Sequence, residues 1–199
     1  MDALLIDWGG VLTTSVLRAF DRFSVRQGWP EDALRNAFRG DTPARRHLID
    51  LETGTIDLPE FERRLAATLH LSPEGLAERL LEDVRPDMEM RVAVRRYHDA
   101  GIRTALVSNS WSATDYDAEL HAMFDAVILS QDLKSRKPAL ELYEVALARL
   151  ERAPGQCVFV DDLGGNLKPA QQLGMTTIKH ERAAETIRQL DALLLPEAS

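Results

Sequence analysis

The sequence predicts an α/β protein: a parallel sheet covered by helices on both faces, with an all-helical segment inserted after the first strand. Three observations predict it. Short apolar runs recur along the chain, and buried strands of parallel sheets read that way. After residue 86 these runs alternate with helical patterns, which implies right-handed crossovers between parallel strands. From about 14 to 85, apolar residues recur only at helical spacing.

The first run is Ala3-Leu4-Leu5-Ile6. Next comes the helical stretch, marked by Val16, Phe20 and Phe23; Leu34 and Phe38; Leu48 and Leu51; Phe61, Leu65 and Leu69; and Leu76 and Leu80. Pro30, Pro43, Pro59 and Pro73 fall near expected helix starts, with Thr42 and Ser72 as N-caps. Pro86 opens a helix through Val92, Val94 and Tyr97 to a stop at Gly101. Ile102 to Val107 reads as a strand, 115–123 as a helix and Ala126 to Leu129 as a strand. Pro138 opens a helix ending near Leu150, Cys157 to Val160 is a strand, and Asn166 to Leu173 is a helix closed by Gly174. Met175 to Ile178 and 181–194 form the last strand and helix. The expected architecture is a three-layer Rossmann-like core over residues 1–13 and 86–199, with an all-helical unit over 14–85.

Composition fits one globular unit, at 45% apolar and 28% charged residues. A net charge of -8 disfavours nucleic acid or an anionic membrane surface as a partner. No apolar stretch is long enough to span a bilayer. The N-terminus lacks a signal-type segment, so the expected location is cytoplasmic. The single cysteine, Cys157, excludes an internal disulfide and reads as a buried structural thiol. Oligomeric state is not legible.

The chemistry gathers at strand ends. The first run delivers Asp7 into Trp8-Gly9-Gly10, and Val158-Phe159-Val160 delivers Asp161-Asp162 into Leu163-Gly164-Gly165-Asn166. Open α/β sheets bind ligands just beyond the carboxyl ends of their strands. Three clustered carboxylates resist ionising together without a cation, and Mg²⁺ is the natural oxygen-seeking partner. Asp7 is a candidate nucleophile toward phosphorus, with Gly9 and Gly10 allowing a sharp turn behind it. Ser108 and Asn109, after the second strand, can donate to phosphate oxygens or form an Asx turn. Lys137 can hold phosphate against the nucleophile as a fixed point charge. Asp161 and Asp162 divide between binding metal and orienting the lysine or a water, with Asn166 supporting them.

These four elements, in order and at matching strand ends, resemble the haloacid dehalogenase (HAD) superfamily. Its four motifs are matched by the Asp7-x-x-Gly10-Val11-Leu12 start, Val107-Ser108-Asn109, Arg136-Lys137-Pro138 and Val160-Asp161-Asp162. The run from Asp161 to Ala170 looks especially like the phosphatase domain of soluble epoxide hydrolase and its bacterial relatives, which include sugar-phosphate phosphatases. The resemblance implies that residues 14–85 form a cap choosing a small phosphorylated substrate. It implies an aspartyl-phosphate mechanism with Asp7 as nucleophile. Mg²⁺ would be held by Asp7, the Gly9 backbone oxygen and Asp162. Ser108, Asn109 and Lys137 would bind phosphate, and Asp161 would steady Lys137 or the metal shell.

One position departs from the pattern. Phosphatases of this superfamily mostly carry a second aspartate two residues after the nucleophile, as acid and base; here Gly9 stands there. The expected activity is therefore a Mg²⁺-dependent phosphomonoesterase whose leaving group either needs little protonation, as in an acyl phosphate or sugar 1-phosphate, or takes its proton from a cap residue or from the substrate itself. The alternatives are a weak or inactive phosphate-binding protein, and a 2-haloacid dehalogenase, which needs neither acid nor metal. Trp8 and Trp111 either wall the pocket or pack against the helical unit. Arg39, Arg45 and Arg46 read as solvated helix faces, the five histidines as surface or helix-end residues, and Lys168 as a first-turn residue. Arg136 is assigned no role.

Overall fold

A computed structural model describes residues 1–111 and 121–195. Its centre is a five-stranded sheet in the order β3-β2-β1-β4-β5. The strands are β1 (Ala3–Ile6), β2 (Arg103–Ser108), β3 (Ala126–Leu129), β4 (Cys157–Asp161) and β5 (Thr176–Lys179). Every pairing is parallel, with Leu5 level with Ala105 on one side and Phe159 on the other. The first strand thus lies at the centre, flanked by the two strands whose ends carry the other expected site residues.

Alternation along β1 sends side chains to opposite faces. Leu4 and Ile6 join the core formed with Met90, Val94, Leu190 and Leu194. Those residues belong to α6 (Met88–Asp99) and α10 (Ala183–Leu194). Ala3 and Leu5 join the opposite core, with Leu142, Tyr143, Leu167 and Ala170. These belong to α8 (Leu140–Leu150) and α9 (Gly164–Leu173). All four residues of β1 are fully buried, as expected of a central strand between two helical layers.

Residues 14–85 contain five helices and no strand: α1 (Val16–Arg26), α2 (Ala33–Ala37), α3 (Pro43–Glu52), α4 (Leu58–Leu69) and α5 (Leu76–Leu81). Their apolar faces close a separate core around Phe20, Phe23, Leu34, Leu51, Phe61 and Leu65. Truncating a fully buried aromatic such as Phe61 to alanine costs about 3–5 kcal/mol. The chain leaves and re-enters the sheet region through two paired connections. Thr14 N–H donates to Arg85 C=O at 2.8 Å, and Asp87 N–H donates to Leu12 C=O at 2.9 Å. Near the sheet, α7 (Ser130–Leu133) follows β3 directly.

Several local expectations are corrected. Pro86 precedes its helix, because the Asp87 carboxylate takes the N-cap and accepts from Met90 N–H at 3.0 Å. Pro138 lies two residues before α8, after a cis Lys137–Pro138 peptide. Ser72 is not an N-cap: its hydroxyl bonds the Glu74 carboxylate, and α5 begins only after Gly75. Lys168 lies one turn deeper than expected, because α9 starts at Gly164. His180 is buried, with its Nδ1 3.0 Å from Thr186 Oγ1, and burial lowers its pKa. Thr42, Gly174 and buried Cys157 match expectation. The helix expected at 115–123 lies outside the described residues except for 121–123. Among the described residues no helix is long and apolar enough to cross a membrane.

Candidate active site

The turn after β1 is shaped by backbone freedom. Gly10 has φ +79°, and a Cβ there would stand 2.5 Å from Asp162 Oδ2, so a side chain fits neither the conformation nor the space. Gly10 N–H donates to Thr13 Oγ1 at 3.0 Å and Leu12 N–H to Trp8 C=O at 2.9 Å, which fixes the loop. Asp7 itself extends the strand, donating its N–H to Val160 C=O at 2.9 Å.

Beyond these strand ends opens a cavity of about 400 Å³. Its walls include Asp7, Trp8, Gly9, Ser108, Asn109, Trp111, Lys137, Asp162 and Asn166, so nine of the expected site residues share one space. Asp161 lies behind them, fully buried at 0% exposure. Lys137, 1% exposed, ties the set together: its Nζ is 2.7 Å from Asp7 Oδ1 and 2.8 Å from Asp161 Oδ2. Asp161 also accepts from Leu163 N–H at 2.8 Å and from Asn166 Nδ2 at 3.0 Å. Asn166 is held in turn by Tyr143, whose hydroxyl donates to its carbonyl at 2.7 Å. Asp161 is thus buried, fully hydrogen-bonded and placed to fix the lysine.

Asn109 clasps the same lysine from the other side. Lys137 N–H donates to Asn109 Oδ1 at 2.8 Å, and Asn109 Nδ2 donates to Lys137 C=O at 3.2 Å. Ser108 is buried at the end of β2.

The electrostatics are those of a crowded acidic pocket. Burial pushes Asp7 up to about 7, against the pull of Lys137 and with the push of Asp161. Burial and Asp161 likewise raise Asp162, to about 6. Burial alone would lower Lys137, but Asp161 and Asp7 outweigh it and hold the ammonium above the ordinary lysine range. One oxygen from each of Asp7, Asp161 and Asp162 lies within 4.8 Å of the others, a spacing a single cation can span.

The far wall departs from expectation. Arg39, which lies just beyond α2 rather than on a helix face, and Arg45 are exposed, yet they line the cavity; Arg46 instead pairs with exposed Asp41. Trp111 is both wall and packing, stacked on Phe20 with ring centroids 6.1 Å apart and edge-on to Phe61 at 5.5 Å. Three charged lining residues were missed, Arg35, Arg136 and Glu52. Arg136 lines the cavity, and its Nε lies 2.5 Å from Glu52 Oε2. Glu52 is only 6% exposed. Its signal was present: it stands four residues after Leu48 and beside Leu51, on the apolar stripe of α3.

A parallel α/β core with this strand-end constellation defines a class of hydrolases. Residues 1–174 match the family described as haloacid dehalogenase-like hydrolase, and the chain belongs to that family. Among curated relatives, mouse bifunctional epoxide hydrolase 2 is 27% identical over 220 residues, covering 96% of this chain and 39% of that protein. The chain therefore spans about two-fifths of that relative's length. The sesquiterpene phosphatase astK of Aspergillus oryzae is 26% identical over 151 residues, covering 72% of this chain and 76% of that one. Among solved structures, a HAD family enzyme of Bacteroides thetaiotaomicron, in complex with magnesium and inorganic phosphate, superposes with a TM-score of 0.68. It is 22% identical, with 91% of this chain and 94% of that one covered, a likeness of fold.

Proposed function

We propose that the protein is a Mg²⁺-dependent phosphomonoesterase acting on a small phosphorylated metabolite through an aspartyl-phosphate intermediate. The observation that carries this reading is Lys137, held by Asp161 and Asn109 with its ammonium against Asp7 at the cavity floor. Such a fixed cation draws a phosphoryl group onto the nucleophile. Asp7 attacks phosphorus and forms the acyl phosphate, and water then hydrolyses it. Ser108 and Asn109 border the phosphate and orient it, Asn109 chiefly through its clasp on Lys137.

The donor set fits Mg²⁺. It offers hard oxygen donors only, closely spaced, and burial and repulsion within the cluster disfavour ionisation of Asp7 and Asp162 until a cation joins them. Asp7, the Gly9 carbonyl and Asp162 would hold the ion, with Asn166 and Asp161 behind them. When bound, it neutralises charge that would otherwise oppose attack of one anion on another.

In this reading the helices of residues 14–85 form a cap domain over a core of 1–13 and 86–199. Their separate apolar core and the paired connections at Thr14–Arg85 and Leu12–Asp87 support it. Trp8, Trp111 and the cap residues Phe20 and Phe38 then wall the space for the substrate body.

The test is hydrolysis of 4-nitrophenyl phosphate and a panel of phosphomonoesters with and without Mg²⁺, beside Asp7→Asn. Mg²⁺-dependent turnover lost in the variant is the expected result. Phosphate binding without turnover on any substrate would favour the non-catalytic alternative, which Gly9 alone supports. Halide release from 2-chloropropionate without metal would favour the dehalogenase.

A further inference from the structure

We propose that Glu52, delivered by the helical segment, is the general acid that protonates the leaving oxygen, the task for which Gly9 offers no side chain. The inference rests on the phosphomonoesterase reading above and names one further catalytic residue within it.

Among the described residues, three carboxyl groups line the cavity: Asp7, Asp162 and Glu52. Asp7 is occupied as nucleophile and Asp162 faces the acidic cluster, which leaves Glu52. No described histidine, tyrosine or cysteine lines the space as a rival donor.

Glu52 is held firmly in the cavity wall. Ser130 Oγ donates to its carbonyl at 2.5 Å, and Gln131 Nε2 donates to the Leu51 carbonyl at 3.4 Å. Both donors belong to α7, so the end of α3 is anchored on the sheet domain. Gly54 completes the anchor: with φ +64° it packs where a Cβ would stand 3.2 Å from the Gln131 carbonyl. The Glu52 carboxyl meets Arg136, the residue directly before Lys137, and the charges of Arg136 and Lys137 and the Trp111 side chain all act on it. It therefore shares the cavity wall with Arg136, next in sequence to the nucleophile's lysine.

The group also has the right acidity. Burial pushes Glu52 up to about 7, against the pull of Arg136, Lys137 and Trp111, so a substantial fraction carries a proton at neutral pH. As Asp7 Oδ bonds to phosphorus, the bond from phosphorus to the leaving oxygen breaks, and that oxygen takes the proton from Glu52 Oε. The products are the alcohol, the aspartyl phosphate and a Glu52 carboxylate. Glu52 regains a proton from solvent before the next turnover.

The test compares benzyl phosphate with 4-nitrophenyl phosphate on wild type, Glu52→Gln and Asp7→Asn. The alkoxide leaving group needs the proton; the nitrophenolate does not. The readout is kcat/KM, which reports only steps up to alcohol release, taken as the ratio of the two substrates so that the folded fraction cancels. In Glu52→Gln the benzyl to nitrophenyl ratio should fall about 100-fold or more. The alkaline fall in kcat/KM for benzyl phosphate, centred near pH 7 in wild type, should disappear. An unchanged ratio, through equal loss on both substrates or no loss on either, would overturn the assignment while the phosphatase reading stands. Wild type inactive on both with Mg²⁺, or Asp7→Asn active on either, would overturn the phosphatase reading and this inference with it.

Discussion

Lys137 Nζ lies 2.7 Å from a carboxylate oxygen of Asp7, with both side chains buried. One residue ends the first strand and the other follows α7 just before the cis Pro138 peptide. The parallel pairing of β1 with β2 and of β2 with β3 brings their ends to the same edge of the sheet. The contact fixes a positive charge beside the group expected to attack phosphorus.

Replacing Lys137 by methionine keeps much of the volume and removes the charge. Asp7 and Asp161 would then be buried without their shared partner, and breaking a buried pair from one side costs about 3–5 kcal/mol. Hydrolysis should fall below detection. Urea unfolding and phosphatase assay check the two parts; a variant of wild-type stability would show that the lysine's charge is not what balances the aspartates.

Removing the metal should stop turnover and restoring it should recover turnover. Mg²⁺ should also raise the melting temperature, with about 2.7 kcal/mol of stabilisation at 100 times its Kd. The rise should grow from pH 5.5 to 8, because Asp7 and Asp162, raised to about 7 and about 6, must lose their protons to bind it. Thermal melts with EDTA and with Mg²⁺ across that range are the check. A shift independent of pH would count against these ligands.

Gly9→Asp introduces the missing aspartate. Its Cβ would meet Val16 Cγ2 at 3.3 Å, a tight but side-chain contact. The single variant should gain little activity, and Gly9→Asp with Val16→Ala should gain more on poor leaving groups. Steady-state rates on benzyl phosphate decide; equal rates in the two variants would mean that Val16 is not the obstacle.

Glu52 also couples stability to pH. Its folded pKa of about 7 stands above the ordinary 4.5, so the folded protein holds that proton more tightly than the unfolded chain. Its contribution is full below pH 4.5 and is lost as pH rises through 7. Relative to Glu52→Gln, wild type should lose up to about 3 kcal/mol between pH 4.5 and 8. Denaturant unfolding of both proteins at several pH values measures this, and a constant difference would place the carboxyl in an ordinary environment.

The core was readable because its signals are local. The buried strands β1, β2 and β4 are apolar runs that end at the site, so Asp7, Ser108 and Asp161 could be placed from strand ends alone. Helix starts were less legible at prolines: Asp87 capped where Pro86 was expected to begin, and Gly75 intervened after Pro73. The far side of the site was hidden for a different reason. Whether Arg39, Arg45, Arg136 and Glu52 face solvent or the cavity depends on how α2 and α3 pack over the sheet. That packing is tertiary, and periodicity within one helix does not report it. A carboxylate on an apolar stripe, as at Glu52, was the one local clue.

The central claim is that Asp7 becomes covalently phosphorylated. Wild-type protein mixed with 4-nitrophenyl phosphate and Mg²⁺, acid-quenched within a turnover and digested, should show by mass spectrometry one phosphoryl group on the peptide containing Asp7, absent in Asp7→Asn. Rapid release of nitrophenol by wild type with that peptide never modified, or turnover retained by Asp7→Asn, would contradict it.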